Sequence, residues 1–234
     1  VMVAGTLAGE MGSTGAADAP GLFLVELGTE QGDVVSTKGT SGGSLIAPPE
    51  IAIASTGDTC IISSFSGTMG FADKAPATSA GGTDWFYACF DAKGALRFQQ
   101  AWGSKADDRA RTVAFDKQGT LWLGGSIGAS AKIPGAFTSF SGMNEAVVLT
   151  VDSQGALSGG EVFSSNVDEE VVRLAAAPGE SVFAAGRLDG ILAIKGHVLT
   201  GRKEGVFVAR LSPQGNYAVE LDPFDLADAA ADDA

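Results

Sequence analysis

Gly81-Gly82-Thr83-Asp84-Trp85-Phe86-Tyr87-Ala88-Cys89-Phe90-Asp91-Ala92-Lys93-Gly94 reads as a turn, an apolar strand and a second tight turn. The apolar run is short and bounded by turn residues, which is the pattern of a buried strand. It decides the fold because it recurs. Its counterparts lie at 23–32, 147–155 and 207–215, with turn glycines at 32, 94, 155 and 215.

Two further markers keep the same period. A short apolar segment ending in small residues starts at residues 1, 60, 121 and 182. These segments are Val1-Met2-Val3-Ala4-Gly5, Cys60-Ile61-Ile62-Ser63-Ser64, Leu121-Trp122-Leu123-Gly124-Gly125 and Val182-Phe183-Ala184-Ala185-Gly186. The strand before each turn glycine starts at Phe23, Phe86, Val147 and Phe207. Three markers with one period of about 60 residues identify an internal repeat.

Each unit holds four strand-like runs. In the third unit they span 111–116, 120–126, 146–152 and 156–163. Runs one and two join through Lys117-Gln118-Gly119, and runs three and four through Ser153-Gln154-Gly155. Glycine supplies the positive φ that such turns need. Runs two and three are joined by a long loop, here 127–145. Four antiparallel strands per repeat predict an all-β fold, a β-propeller of four-stranded blades, with about four blades in this chain. With strands labelled A to D from the axis outward, 1–49 is a partial blade lacking its innermost strand A. Full blades follow at 50–108, 109–170 and 171–221, then an acidic tail at 222–234, all in one propeller domain. Val1 opens inside a strand, so a processed or truncated N-terminus is expected. Ala231-Asp232-Asp233-Ala234 in the tail resembles Ala106-Asp107-Asp108-Arg109-Ala110, which leads into a strand A.

The chain from Phe65-Ser66-Gly67-Thr68 through Thr78-Ser79-Ala80-Gly81-Gly82-Thr83-Asp84-Trp85-Phe86 to Asp91-Ala92-Lys93-Gly94 resembles a known repeat family. So do Trp102-Gly103-Ser104, Asp107-Asp108 and Val113-Ala114-Phe115-Asp116-Lys117-Gln118-Gly119. The resemblance is to the bacterial seven-bladed-propeller-type repeats of secreted and cell-surface proteins. It covers nearly the whole chain, is best over 55–126, and departs at Ala175-Ala176-Ala177-Pro178 and in the acidic tail. It implies a propeller and an extracellular, cell-surface or periplasmic location. It implies no particular activity, because propellers host many roles.

Composition bounds the partners. The chain has 234 residues, is 45% hydrophobic and carries a formal net charge of -13. That charge argues against nucleic acid and anionic membranes. No run approaches the ~20 apolar residues of a membrane helix.

Strand parity sorts the connections by face. The tight turns fall on one face. The long loops 8–20, 67–83, 127–145 and 189–204 fall on the other, with the acidic D–A connections Asp107-Asp108 and Asp168-Glu169-Glu170. Long loops on a rigid scaffold are the usual place for binding. Phe71, Lys74, Lys132, Phe137, Lys195, His197 and Arg202 are the candidate binding residues there. The plainer reading is that these loops only cover the rim.

Asp107, Asp108, Asp168, Glu169 and Glu170 lie near the channel mouth and could hold Ca²⁺. No Asp-x-Asp-x-Asp-Gly run is present, so solvated acidic turns are the simpler reading and no cofactor is expected. Cys60 opens strand B and Cys89 nears the end of strand C, which permits a disulfide if the register matches. Export favours the bond; out of register the two would be reduced core thiols. His197 is the only histidine, which leaves no His-based metal or nucleophile site. Trp85, Trp102 and Trp122 read as inter-blade packing. The expected function is a non-catalytic binding or structural module of an exported bacterial protein, acting through the long-loop face. Its partners would be protein or carbohydrate at the cell surface, a second copy, or further blades of a longer chain. The alternative is a propeller-type lyase or hydrolase with a metal at the channel mouth.

Overall fold

A computed structural model of the chain describes residues 1–7, 21–128, 133, 144–164, 168–188, 191–194, 197–200 and 205–212, with backbone alone at 7, 188, 191–194 and 197–200. Among them the regular elements are all strands, and every pairing is antiparallel. The first sheet holds β1 (Met2–Leu7), β2 (Gly21–Leu27) and β3 (Val34–Ser41). The second holds β4 (Ser44–Leu45) and β5 (Glu50–Ile53), both paired with one edge of β6 (Thr59–Ser66). A short hairpin, β7 (Thr68–Phe71) and β8 (Ala77–Thr78), leaves the second unit and extends the first sheet beyond β3. The second sheet continues with β9 (Asp84–Phe90) and β10 (Leu96–Trp102). The third runs β11 (Arg109–Phe115), β12 (Leu121–Ile127), β13 (Glu145–Val151) and β14 (Leu157–Phe163) in sequential order. The fourth holds β15 (Glu170–Ala177), β16 (Ser181–Leu188) and β19 (Gly205–Leu211), beside a separate pair, β17 (Ile191–Ile194) with β18 (His197–Thr200).

The recurring turn explains the regular spacing. Asp91 Oδ1 accepts from Lys93 N and Ala95 N, both at 2.9 Å. Asp116 and Asp152 repeat this with the amides two and four residues on. Gly94, Gly119 and Gly155 close the turns at φ of 79°, 86° and 89°. Only glycine takes that conformation without steric cost. The donated bonds, that of Ala95 first, hold the exposed Asp91 carboxyl below the usual carboxylate range.

Register aligns the repeats. Thr59 pairs with Phe90, Leu121 with Val151, and Val182 with Leu211. Val1 and Leu27 exchange backbone bonds at 2.7 Å. Val1, Thr59, Leu121 and Val182 are therefore equivalent stations. The apolar segment read from Cys60 is thus displaced by one residue, because its pattern does not show which face is which. A one-residue slip exchanges faces, so Cys60 matches Trp122 rather than Leu121.

Alternation then builds three cores between successive sheets. Met2, Ala4, Leu22 and Leu24 of the first sheet meet Ile61, Phe86, Ala88 and Phe90 of the second. The other face of the second sheet, with Ile62, Trp85 and Tyr87, meets Leu121, Leu123, Val147 and Leu149. The far face of the third, with Trp122, Val148 and Phe163, meets Val182, Ala184, Phe207 and Leu211. Each fully buried Leu, Ile, Val or Phe among them contributes roughly 1.5–3 kcal/mol by leaving water. Polar ties join the same sheets. Trp85 Nε1 donates to Ser126 O at 3.2 Å, and Tyr87 OH to Gly155 O at 3.0 Å. Leu174 N donates to Thr112 Oγ1 at 3.0 Å.

Candidate functional site

The acidic D–A connections are hydrogen-bonded into the fold, with Asp107 and Asp168 exposed and Asp108 and Glu169 buried. Asp107 Oδ1 accepts from Thr83 N at 2.9 Å, and Asp108 N donates to Thr83 O at 2.6 Å. One unit later, Asp168 Oδ1 accepts from Asn144 N and Glu169 N donates to Asn144 O, both at 3.0 Å. These bonds close the end of each long loop onto the chain that enters the next sheet. The third acidic residue, Glu170, takes Arg111 Nε at 2.6 Å and so ties the third sheet to the fourth.

Behind the first latch stand the buried acids Asp84 and Asp108, and Glu145 and Glu169 are the buried acids at the equivalent positions one unit later. The Asp108 carboxylate accepts from Ser104 N, from Ser104 Oγ at 3.2 Å and from Gly128 N at 2.6 Å. Asp84 Oδ2 accepts from Ala80 N and Gly81 N. Asp84 Oδ1 has no N–H partner. It faces Asp108 across the Cα of Gly103, where an added Cβ would stand 2.6 Å from Asp108 Oδ2. Burial and, to a smaller extent, the bond to Asp84 push the Asp108 carboxyl up to about 6, against the donors from Ser104 and Gly128. Sequence reading singled out Asp108 but not Asp84. The signal was present, since an acid opens strand C at both Asp84 and Glu145. Among the described residues, no three His, Cys, Asp or Glu side chains gather as a cation site requires.

The other sequence candidates disperse. Phe71 is buried in the core between the first two sheets rather than exposed on a binding loop. The loop 67–83 that carries it is a packed hairpin. Gln99 fastens it, accepting from Phe71 N at 2.7 Å and donating to the carbonyls of Lys74 and Ala75 at 3.1 and 2.8 Å. Lys74 lies exposed at the hairpin tip. His197 opens β18, where only backbone is described. Lys132, Phe137, Lys195 and Arg202 lie outside the described residues.

Cys60 and Cys89 stand opposite each other in the β6–β9 register and form a disulfide, with Cα atoms 4.1 Å apart. The bond borders a cavity of about 430 Å³ between the second and third sheets. This cavity lies on the tight-turn side, opposite the long loops. Phe98, Phe115, Leu121 and Val151 form its apolar wall. Thr120, Gln118, Ser153 and Ser158 supply hydroxyls and an amide, and Asp58, Arg97 and Asp152 supply charge. Those charges are already engaged. Arg97 Nη1 lies 2.6 Å from Asp58 Oδ2, and Asp152 Oδ1 accepts two turn amides.

No family model matches the chain, and no curated protein matches it. Among solved structures, the chain is similar to one described as a protein of unknown function from Bacteroides caccae, at 10% identity and a TM-score of 0.42. The match covers 94% of this chain but only 58% of that one.

Proposed function

We propose that the chain is a non-catalytic binding module of an exported bacterial protein. In this reading its successive sheets are the blades of a β-propeller, and the cavity between the second and third takes a neutral, hydroxyl-rich ligand such as a carbohydrate. Three facts support the architecture: the repeated register, the three face-to-face cores and the latch at two successive D–A connections. The disulfide supports export, since such bonds persist in oxidising compartments.

The cavity's chemistry carries the ligand reading. Its size falls in the range of small-molecule sites. Rings and aliphatic side chains can cover the C–H face of a sugar, while Thr120, Ser153, Ser158 and Gln118 offer donors and acceptors to its hydroxyls. Because Arg97 is neutralised by Asp58, an anionic ligand would meet no unpaired cation there. Titration calorimetry with a panel of neutral mono- and disaccharides tests this. Saturable binding that Ser158→Trp abolishes is expected. Failure of the whole panel, or binding unchanged by Ser158→Trp, overturns the ligand reading.

A further inference from the structure

We infer that the Cys60–Cys89 bond is a thiol–disulfide exchange site, that small dithiols reach it through the cavity between the second and third sheets, and that its reduction narrows that cavity. Cys60 pairs with Cys89 at the station where Met2 pairs with Glu26, Trp122 with Thr150 and Phe183 with Arg210. The other three sheets join the same two strands by the ladder alone. Beside the cysteines the ladder is also intact, with Thr59 opposite Phe90 and Ile61 opposite Ala88. The repeat therefore holds this station together without a covalent bond.

Both cysteines line the cavity of about 430 Å³. At the Cys60 station the other sheets carry the bulkier Met2, Trp122 and Phe183. The second sheet carries a cystine there, and the open space stands against it. Cys60 and Cys89 are 2% and 3% exposed. Ile62 and Tyr87, next along the same face, belong with them to one packed core. The cavity is the way in for a reagent, and its size suits a small molecule.

The exchange balances with a dithiol as reductant. One of its thiolates attacks a cystine sulfur, the Sγ–Sγ bond breaks, and a mixed disulfide forms as the other cysteine leaves. The second thiolate of the reagent then attacks the mixed disulfide at the reagent's own sulfur and releases the remaining cysteine. Two electrons pass to the cystine, the reagent departs as a cyclic disulfide, and its two protons end on Cys60 and Cys89. The ladder keeps the two Cα atoms close, at 4.1 Å in the bonded form. Bonded sulfurs stand about 2 Å apart, whereas non-bonded heavy atoms keep roughly 3.5–4 Å. The freed thiols separate by turning about χ1, and the space open to them is the cavity. A cavity occupant and the two thiols thus compete, so the occupant favours the bonded state. The exchange rests on the cavity alone, and its effect on binding rests on the ligand reading.

Dithiothreitol treatment of the full, folded chain tests it, with free thiols counted by iodoacetamide labelling and mass spectrometry. Both cysteines should label while circular dichroism stays native. Ser158→Trp places a ring at an exposed position of the cavity lining. It should slow reduction about tenfold or more, because exchange rates follow access. Thr120→Trp, at another lining position, replaces it if circular dichroism shows misfolding. Thiols that appear only in step with urea unfolding overturn the inference, as does an equal rate in the Trp variant. Calorimetry reads the coupling. A panel sugar that binds the oxidised chain should bind the reduced chain about tenfold more weakly. The double variant Cys60→Ala with Cys89→Ala has neither bond nor thiols and should bind it as the oxidised chain does. Equal affinity of the oxidised and reduced chains overturns the narrowing. If no sugar binds while Ser158→Trp still protects the bond, the ligand reading falls and the exchange site stands.

Discussion

Asp84 and Asp108 meet carboxyl to carboxyl over the Cα of Gly103, joining the start of β9 to the chain that enters β11. One proton between them satisfies both groups. Held by Asp108, it donates to Asp84 Oδ1, while backbone amides and Ser104 Oγ serve the remaining oxygens. Without that proton, two buried negative charges face each other, which is costly.

This pair makes folding stability pH-dependent. The folded Asp108 carboxyl lies at about 6, above the ordinary carboxylate value near 4. The folded state therefore holds a proton that the unfolded chain releases. Its contribution is fully present below about pH 4 and is lost as pH rises through about 6. The pair alone should make the protein about 2 kcal/mol less stable at pH 7 than near pH 4.5. Asp84→Asn removes one of the two facing charges, offers an amide N–H to Asp108 and keeps an acceptor for Ala80 N and Gly81 N. Urea unfolding should find this variant more stable than wild type at pH 7, with a flattened profile between pH 4.5 and 7. A wild-type profile already flat over that range would refute the shared proton.

The Cys60–Cys89 disulfide links adjacent strands across a separation of 29 residues. The reduced protein, or the double variant Cys60→Ser with Cys89→Ser, should lose about 2–4 kcal/mol. The strands stay paired through the ladder on either side, so circular dichroism should keep its β signature. Reduction without any change in the denaturation midpoint would contradict this account.

Two glycines in one sheet should respond differently to the same substitution. A Cβ on Gly125 would strike the Arg109 carbonyl and stand 2.8 Å from the Trp85 ring. Neither group can withdraw, because the first is backbone and the second is wedged between sheets. Gly125→Ala should cost about 3 kcal/mol or more. Gly119 has open space around it, and its substitution is penalised only by its φ of 86°. Gly119→Ala should cost about 1 kcal/mol. Thermal or urea unfolding of the two variants ranks them, and the reverse order would be incompatible with this packing.

Much of the strand framework was legible because glycine and aspartate punctuate it. The Asp91, Asp116 and Asp152 turns repeat one set of local bonds, so their spacing is visible in the chain. The hairpin at 68–78 was not legible. Its β7 strand pairs with β3 of the preceding unit, and Gln99, far along the chain, holds it in place. No local pattern announces a side chain that bonds across 28 residues. Phe71 was read as a loop residue for the same reason, since its burial depends on two sheets that are separate in sequence.

What the sequence determined by itself was periodicity: an all-β chain, units of about sixty residues, and alternation along each strand. These are properties of local chemistry, of the turn glycines and of a two-residue side-chain period. The tertiary structure alone decided which side of each strand faces forward, since a one-residue slip reverses every face without altering the composition. It decided that Cys60 meets Cys89, that Asp84 meets Asp108, and that the exposed Asp107 and Asp168 also bond the ends of the preceding loops. Those outcomes rest on contacts between groups distant in sequence, where packing and desolvation act on three-dimensional neighbours and leave no periodic trace in the chain.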